Sequence, residues 1–248
     1  MIQLDHVTKK FGDVTALKDV SLTLEKGKII GVLGANSSGK STLLKLIAGL
    51  VSPTAGNVFV DGEKVTRKIS SKVVYLSELD VYYDSFTVQD MIEFYASQFS
   101  DFRTEKARNI LAFMQIDPSK KLKQLSKGGR GRAKIAFALA REAPVLLMDE
   151  PLSGLDPMVR ESIIQGLVSF VDLERQTIVV TTHEINEIEP LLDEAVFLRD
   201  GMVAEHVHVD ELRETNRDSV ASRLKKWIRE RNDHESAFAI EKCQERYR

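Results

Sequence analysis

The sequence predicts an α/β fold in three parts: a core built on a mostly parallel sheet, an N-terminal antiparallel β-subdomain, and an α-helical subdomain inserted into the core. Three observations predict it. Apolar runs at Ile29–Leu33, Val145–Met148, Thr177–Thr181 and Ala195–Leu198 read as strands buried on both faces, with helices between the later ones. Shorter alternating segments precede the first run. A helical, aromatic-rich stretch from about Phe86 to Leu125 separates the first run from the second.

In chain order, Ile2-Gln3-Leu4 and Val20–Leu24 alternate as strands of a small antiparallel sheet do. Glu25-Lys26-Gly27-Lys28 reads as a turn into Ile29–Leu33. After a glycine-containing loop, Ser41–Leu50 carries leucines at helical spacing on one face. Pro53–Gly62 holds a turn, a short strand at Asn57–Val60 and another turn. Thr87 and Thr104 are suited to cap two helices, with Glu105 in the first turn of the second, and Asp117-Pro118 marks a break. Pro157–Leu173 and Glu184–Leu192 read as helices. Residues 1–205 are expected to form one domain, with the helical subdomain at about 86–142, and residues 206–248 a C-terminal helical extension. In that extension Val220, Leu224, Trp227 and Ile228 share a face, most simply packed on the domain itself, with a dimer or regulatory contact as the alternative.

Composition narrows the classes. The chain has 248 residues, 43% of them hydrophobic and 29% charged, with a net charge of -2. That is an ordinary globular composition without the basic field that captures nucleic acid, so no nucleic-acid partner is expected. The single cysteine, Cys243, precludes an intrachain disulfide and fits a reducing compartment. The apolar runs fall well short of the ~20 residues a membrane helix needs. A cytoplasmic location is expected, with any membrane span supplied by another polypeptide.

Gly34-Ala35-Asn36-Ser37-Ser38-Gly39-Lys40-Ser41-Thr42 fits the phosphate-loop pattern G-x-x-x-x-G-K-[ST], and it lies between a buried strand and a helix as the mechanism requires. Loop N–H groups and the positive helix end can surround a triphosphate. Lys40 is placed for the β- and γ-phosphates, the Ser41 hydroxyl for Mg²⁺, and Thr42 for the α-phosphate side. The core is therefore a P-loop NTPase core, and ATP with Mg²⁺ is the expected ligand.

Val145–Met148 runs into Asp149-Glu150, at the strand end where α/β sheets bind ligands. Asp149 suits the Mg²⁺ shell, and Glu150 suits a general base that polarises the attacking water. His183 closes the next strand, placed to contact the γ-phosphate and orient that water.

Leu125-Ser126-Lys127-Gly128-Gly129-Arg130-Gly131-Arg132, about twenty residues before Asp149, resembles the signature motif of ATP-binding cassette (ABC) ATPases, with their helix following at Ala133–Arg141. Ser153-Gly154-Leu155-Asp156 after the acid pair completes the resemblance, which spans residues 1 to 205. It implies an ATPase whose cassettes dimerise head-to-tail, either as a homodimer or with a second ABC subunit. Each signature segment (Ser126, Gly128, Gly129) would complete the other's ATP site, and Asp156 would communicate across the interface. Ser126 at a helix start, with Gly128 and Gly129 exposing backbone N–H groups, makes an anion-binding end suited to that task. The resemblance also makes Phe11 the ring that stacks on adenine, and integral-membrane transporter subunits the partners.

The chain departs from the family pattern in places. Ser37 and Lys127 stand where glycines are usual, and Gly129 where glutamine is. Glu78, in Tyr75-Leu76-Ser77-Glu78, occupies the position of the switch-loop glutamine. Its oxygens still suit Mg²⁺, but its charge beside the γ-phosphate is expected to slow turnover. Glu78 and Lys127 together resemble the ABC-2 type exporters, which implies export. Of the aromatics Tyr82, Tyr83, Phe86, Phe94, Tyr95 and Phe99, the loop members Tyr82, Tyr83 and Phe86, with Val81, read as a surface for the membrane subunit, while Phe94 and Phe99 read as core. The alternative is a soluble ABC ATPase acting on a nucleic-acid or ribosomal machine. A single cassette, the absence of a heptad tract and the near-zero net charge argue against it.

Overall fold

Glycines at tight turns and strands buried on both faces shape the N-terminal half. The computed structural model describes residues 1–78, 83, 85–182, 185–216, 219–220 and 222–223. β1 (Ile2–Phe11) and β2 (Val14–Leu24) pair antiparallel through a turn at Gly12. β3 (Ile29–Leu33) leads into α1 (Lys40–Ile47). β4 (Ala55–Val60) and β5 (Glu63–Lys64) complete a four-stranded antiparallel sheet in the order β2-β1-β4-β5. β6 (Val73–Leu76) follows, and then the helices α2 (Val88–Gln98), α3 (Thr104–Phe113) and α4 (Lys127–Leu139). β7 (Val145–Asp149), α5 (Pro157–Phe170), β8 (Thr177–Thr181), α6 (Ile185–Ile188), β9 (Glu194–Arg199), β10 (Met202–His208) and α7 (Val209–Asn216) complete the order.

The second sheet runs β10-β9-β3-β8-β7-β6, parallel except for β10. Its alternation explains the continuous apolar runs. Ile30, Val32, Leu147 and Val179 enter a core shared with α1 and the antiparallel sheet. Leu146, Met148, Ile178 and Val180 enter the core beneath the helices. The parallel pairing brings the C-terminal ends of β3, β6, β7 and β8 to one edge, where the site lies.

Local signals set most boundaries. Thr87 caps α2 through a reciprocal box with Asp90, worth about 1 kcal/mol. Thr104 does not cap α3. Arg103 is the cap residue, without a side-chain acceptor, because its N–H is donated to Ala140 O and that pairing fixes where the helix starts. The helix expected to reach Leu192 narrows after Ile188 to a 3₁₀ turn containing Pro190, which cannot donate to an α-helical bond. β6 and β10 were not among the expected strands. Val220 is buried, whereas Leu224, Trp227 and Ile228 lie outside the described residues. Among the described residues no helix is long and apolar enough to cross a membrane.

Candidate active site

The phosphate loop is shaped by backbone that side chains tolerate poorly. Gly34 has φ +155°, and a Cβ there would lie 2.3 Å from Leu198 O. Gly39 has φ +107°, and a Cβ there would meet Ala16 O at 2.7 Å. Gly39 is the cap residue of α1 and offers no side-chain acceptor to the first-turn N–H groups. Ser38 Oγ is buried within the loop and has no hydrogen-bond partner among the described residues.

Ser37, where glycine was the expected residue, adopts φ +64°. A left-handed conformation costs a side-chain-bearing residue about 1 kcal/mol or more. Ser37→Gly is therefore expected to stabilise the chain by about 1 kcal/mol, raising Tm by about 2–4 °C in thermal unfolding. A lowered Tm would show that the strain lies elsewhere.

Lys40 opens α1 and is only 6% exposed. Its ammonium donates to Gly34 O (3.0 Å) and Ala35 O (3.1 Å) and lies 3.9 Å from Glu150 Oε1. Burial pushes its pKa below the ordinary lysine value, while Glu150 and Asp149 oppose the shift.

Asp149, 4% exposed, ends β7 and accepts three hydroxyl hydrogen bonds. Ser41 Oγ (2.9 Å) and Thr181 Oγ1 (2.8 Å) donate to Oδ1, and Tyr75 OH (2.8 Å) donates to Oδ2. Glu150 sits at φ +49°, held there by its N–H donating to Thr181 O (3.2 Å) and Oγ1 (2.9 Å). Backbone strain held by its surroundings is typical of functional sites.

The sequence reading gave neither Tyr75 nor Thr181 a role at the carboxylate. The usable signal is the parallel pairing of Tyr75 with Leu147, which puts Tyr75 diagonal to Asp149 on one face of the sheet. Burial, and then Asp149 itself, push the Tyr75 hydroxyl well above the usual tyrosine range, so it stays a donor.

Lys40, Ser41 and Glu150 open onto a cleft of about 630 Å³ lined also by Phe11, Val14, Asn36, Thr42, Glu78 and Ser153. Phe11 is half exposed at its mouth, with Lys9 Nζ 4.7 Å from the ring centroid. Glu78 is exposed, and Lys134 of α4 donates to the carbonyl of the preceding Ser77 (2.9 Å). Among the described residues no three His, Cys, Asp or Glu side chains form a metal cage. His183 lies outside the described residues.

Ser126, Gly128, Gly129 and Asp156 do not line the cleft. Ser126 is exposed and caps α4, its Oγ accepting from Gly129 N at 3.0 Å. Gly129 is buried and its N–H is engaged in that cap, so the open donor expected there is not available. Gly128 serves packing as well, since a Cβ would lie 2.8 Å from Val159 of α5. Asp156 is exposed and caps α5 by accepting from Val159 N. Of the loop aromatics, Tyr83 is 56% exposed with its ring tilted against Phe86 (centroids 4.8 Å), and Phe86, expected as partner surface, packs partly buried against the helical core, as do Phe94 and Phe99. Val81 and Tyr82 lie outside the described residues.

Comparison with known proteins shows the family and the fold. The ABC transporter family model matches residues 17–153. The ABC transporter ATP-binding protein YtrB of Bacillus subtilis (strain 168) is 30% identical over 216 residues, covering 86% of this chain and 74% of YtrB. The petrobactin import ATP-binding protein YclP of the same organism is 30% identical over 227 residues, covering 87% of this chain and 90% of YclP. The dimeric post-hydrolysis structure of the ATP-binding cassette MJ0796 with ADP and Pi superposes with a TM-score of 0.74 at 28% identity, covering 84% and 98% of the two chains. With the strand ends, phosphate loop and acid pair arranged as described, the chain belongs to the ABC transporter family, as an ATP-binding subunit that hydrolyses ATP with Mg²⁺.

Proposed function

We propose that this chain is the motor subunit of an exporter, paired with a second cassette and coupled to a membrane-spanning partner. The hydrogen bond from Ser41 Oγ to Asp149 Oδ1 carries the reading of an ATP-driven motor, because it joins the phosphate loop to the acid strand across 108 residues of sequence. The residues fit their ligands. Uncapped first-turn N–H groups, the buried Lys40 ammonium and the orphan Ser38 hydroxyl suit a triphosphate. Ser41 and Asp149 offer hard oxygens too few for a complete metal cage, which suits a Mg²⁺ ion that takes its remaining ligands from phosphate and water. Mg²⁺ supplies charge neutralisation on the phosphate oxygens.

The chain's own groups do the remainder. Gly34 to Thr42 wrap the phosphates through the backbone, with Lys40 holding the β- and γ-oxygens. Phe11 offers a ring face to adenine. Glu150, beside Lys40, takes the proton of the attacking water. His183 is assigned to the γ-phosphate by its place in the sequence just after β8, and Glu78 to the metal side by the family resemblance. Ser126, with Gly128 and Gly129 in the first turn behind it, presents an outward-facing helix end to a phosphate on the facing cassette. Asp156 lies exposed where the paired cassettes would touch. We assign residues 1–205 to the ATPase domain, about 86–142 to its helical subdomain and 206–248 to an extension. Exposed Tyr83 beside Phe86 suits the membrane subunit, which would hold the chain on the cytoplasmic face.

Export rests on Glu78 and Lys127, which resemble the ABC-2 type. A second reading, import, is supported by the petrobactin import role in the name of YclP. The two separate in proteoliposomes containing the chain and the membrane subunit that co-purifies with it, with the cassette facing the bath. ATP is expected to drive cargo into the lumen, whereas ATP-driven loss of cargo from preloaded vesicles would establish import.

A further inference from the structure

We infer that Tyr75 is a positioning residue that sets the Asp149 carboxylate for Mg²⁺. The inference rests on the reading of Ser41 and Asp149 as the metal-side pair. Its basis is the distribution of donors. A carboxylate oxygen has two lone-pair sites. Oδ1 of Asp149 fills both by accepting from Ser41 and Thr181. Among the described residues Oδ2 accepts only from Tyr75, so one acceptor site remains on the carboxylate there, and Tyr75 decides which one.

The same arrangement prepares Ser41. By donating its proton to Oδ1, the Ser41 hydroxyl keeps its lone pairs free for a cation. Turning about Cβ–Cγ moves both oxygens, so the two donors on Oδ1 already resist the turn. A donor on Oδ2 adds a restraint at the opposite end of the carboxylate and takes one of the two directions from which that oxygen can be approached. The Tyr75 ring can provide it rigidly, since it is half buried, packs against the core shared by the two sheets and comes from a strand paired directly to β7. A tyrosine has few rotatable bonds, so its hydroxyl is held at little entropic cost.

Tyr75→Phe removes the hydroxyl and keeps the ring. The test titrates Mg²⁺ against binding of a fluorescent ATP analogue to the full chain, alongside Mg²⁺-free binding of the same analogue and thermal unfolding. Wild type, Tyr75→Phe and Asp149→Asn are compared. Loss of one hydrogen bond to a charged acceptor is expected to raise the Mg²⁺ half-saturation point on the order of tenfold in Tyr75→Phe, with Mg²⁺-free affinity nearly unchanged. If Asp149→Asn shifts that point and Tyr75→Phe does not, the assignment of Tyr75 is overturned while the metal-side pair stands. If Asp149→Asn does not shift it, the pair itself falls and the inference with it. A Tyr75→Phe variant that loses Tm or Mg²⁺-free affinity with its half-saturation point unmoved has a structural role only, which also overturns the inference.

Discussion

Glu150→Gln is expected to lower ATP turnover by about 10²- to 10⁴-fold, the usual contribution of a positioned general base, while nucleotide still binds. The substitution keeps side-chain length and removes only the basicity. The backbone at Glu150, at φ +49°, is held by two hydrogen bonds to Thr181 that glutamine does not disturb. The nearby Lys40 ammonium, 3.9 Å away, loses a carboxylate neighbour, which leaves more of its charge for phosphate. Slow turnover with intact binding should also trap the nucleotide-bound pair. Phosphate-release assays and size-exclusion chromatography in excess ATP-Mg read both effects. Near-normal turnover would move the base elsewhere.

Lys40→Met should act on binding instead. It keeps the apolar stem in its buried slot and deletes the charge. In the free chain the ammonium is held by Gly34 O and Ala35 O, so its site is already formed and faces the loop. Truncating one partner of a buried, hydrogen-bonded charge pair costs about 2–5 kcal/mol. ATP affinity is accordingly expected to fall by about 10²-fold or more, measured by titration of a fluorescent analogue. Folding should survive, because what is lost without nucleotide is two bonds to neutral carbonyls and a long ion pair with Glu150. Unchanged affinity would remove Lys40 from the phosphate site.

Some elements could be read directly and others could not, for physical reasons. β7 and β8 were legible because strands buried on both faces must be apolar at nearly every position, and Thr177–Thr181 matches its observed bounds. β10 was not, since it is an edge strand whose alternating exposure leaves polar residues such as Glu205 and His206 along it. β6, four residues long, is too short for periodicity to separate from loop. The start of α3 was misplaced because a tertiary backbone bond, Arg103 N–H to Ala140 O, sets it rather than the threonine.

The site divides the same way. Lys40, Ser41 and Glu150 stand out as candidates in the sequence because phosphate binding and proton transfer require particular groups at fixed short spacings, and such spacings are written along the chain. Tyr75 and Thr181 join Asp149 only through sheet pairing across 74 and 32 residues, and no local pattern encodes that distance. The strain at Ser37 and Glu150 is likewise absent from residue type, because φ is imposed by what surrounds the backbone. The linear order of amino acids thus specified the chemistry and the family. Folding alone decided which hydroxyls hold the central carboxylate, since those contacts arise from parallel strands meeting at one edge.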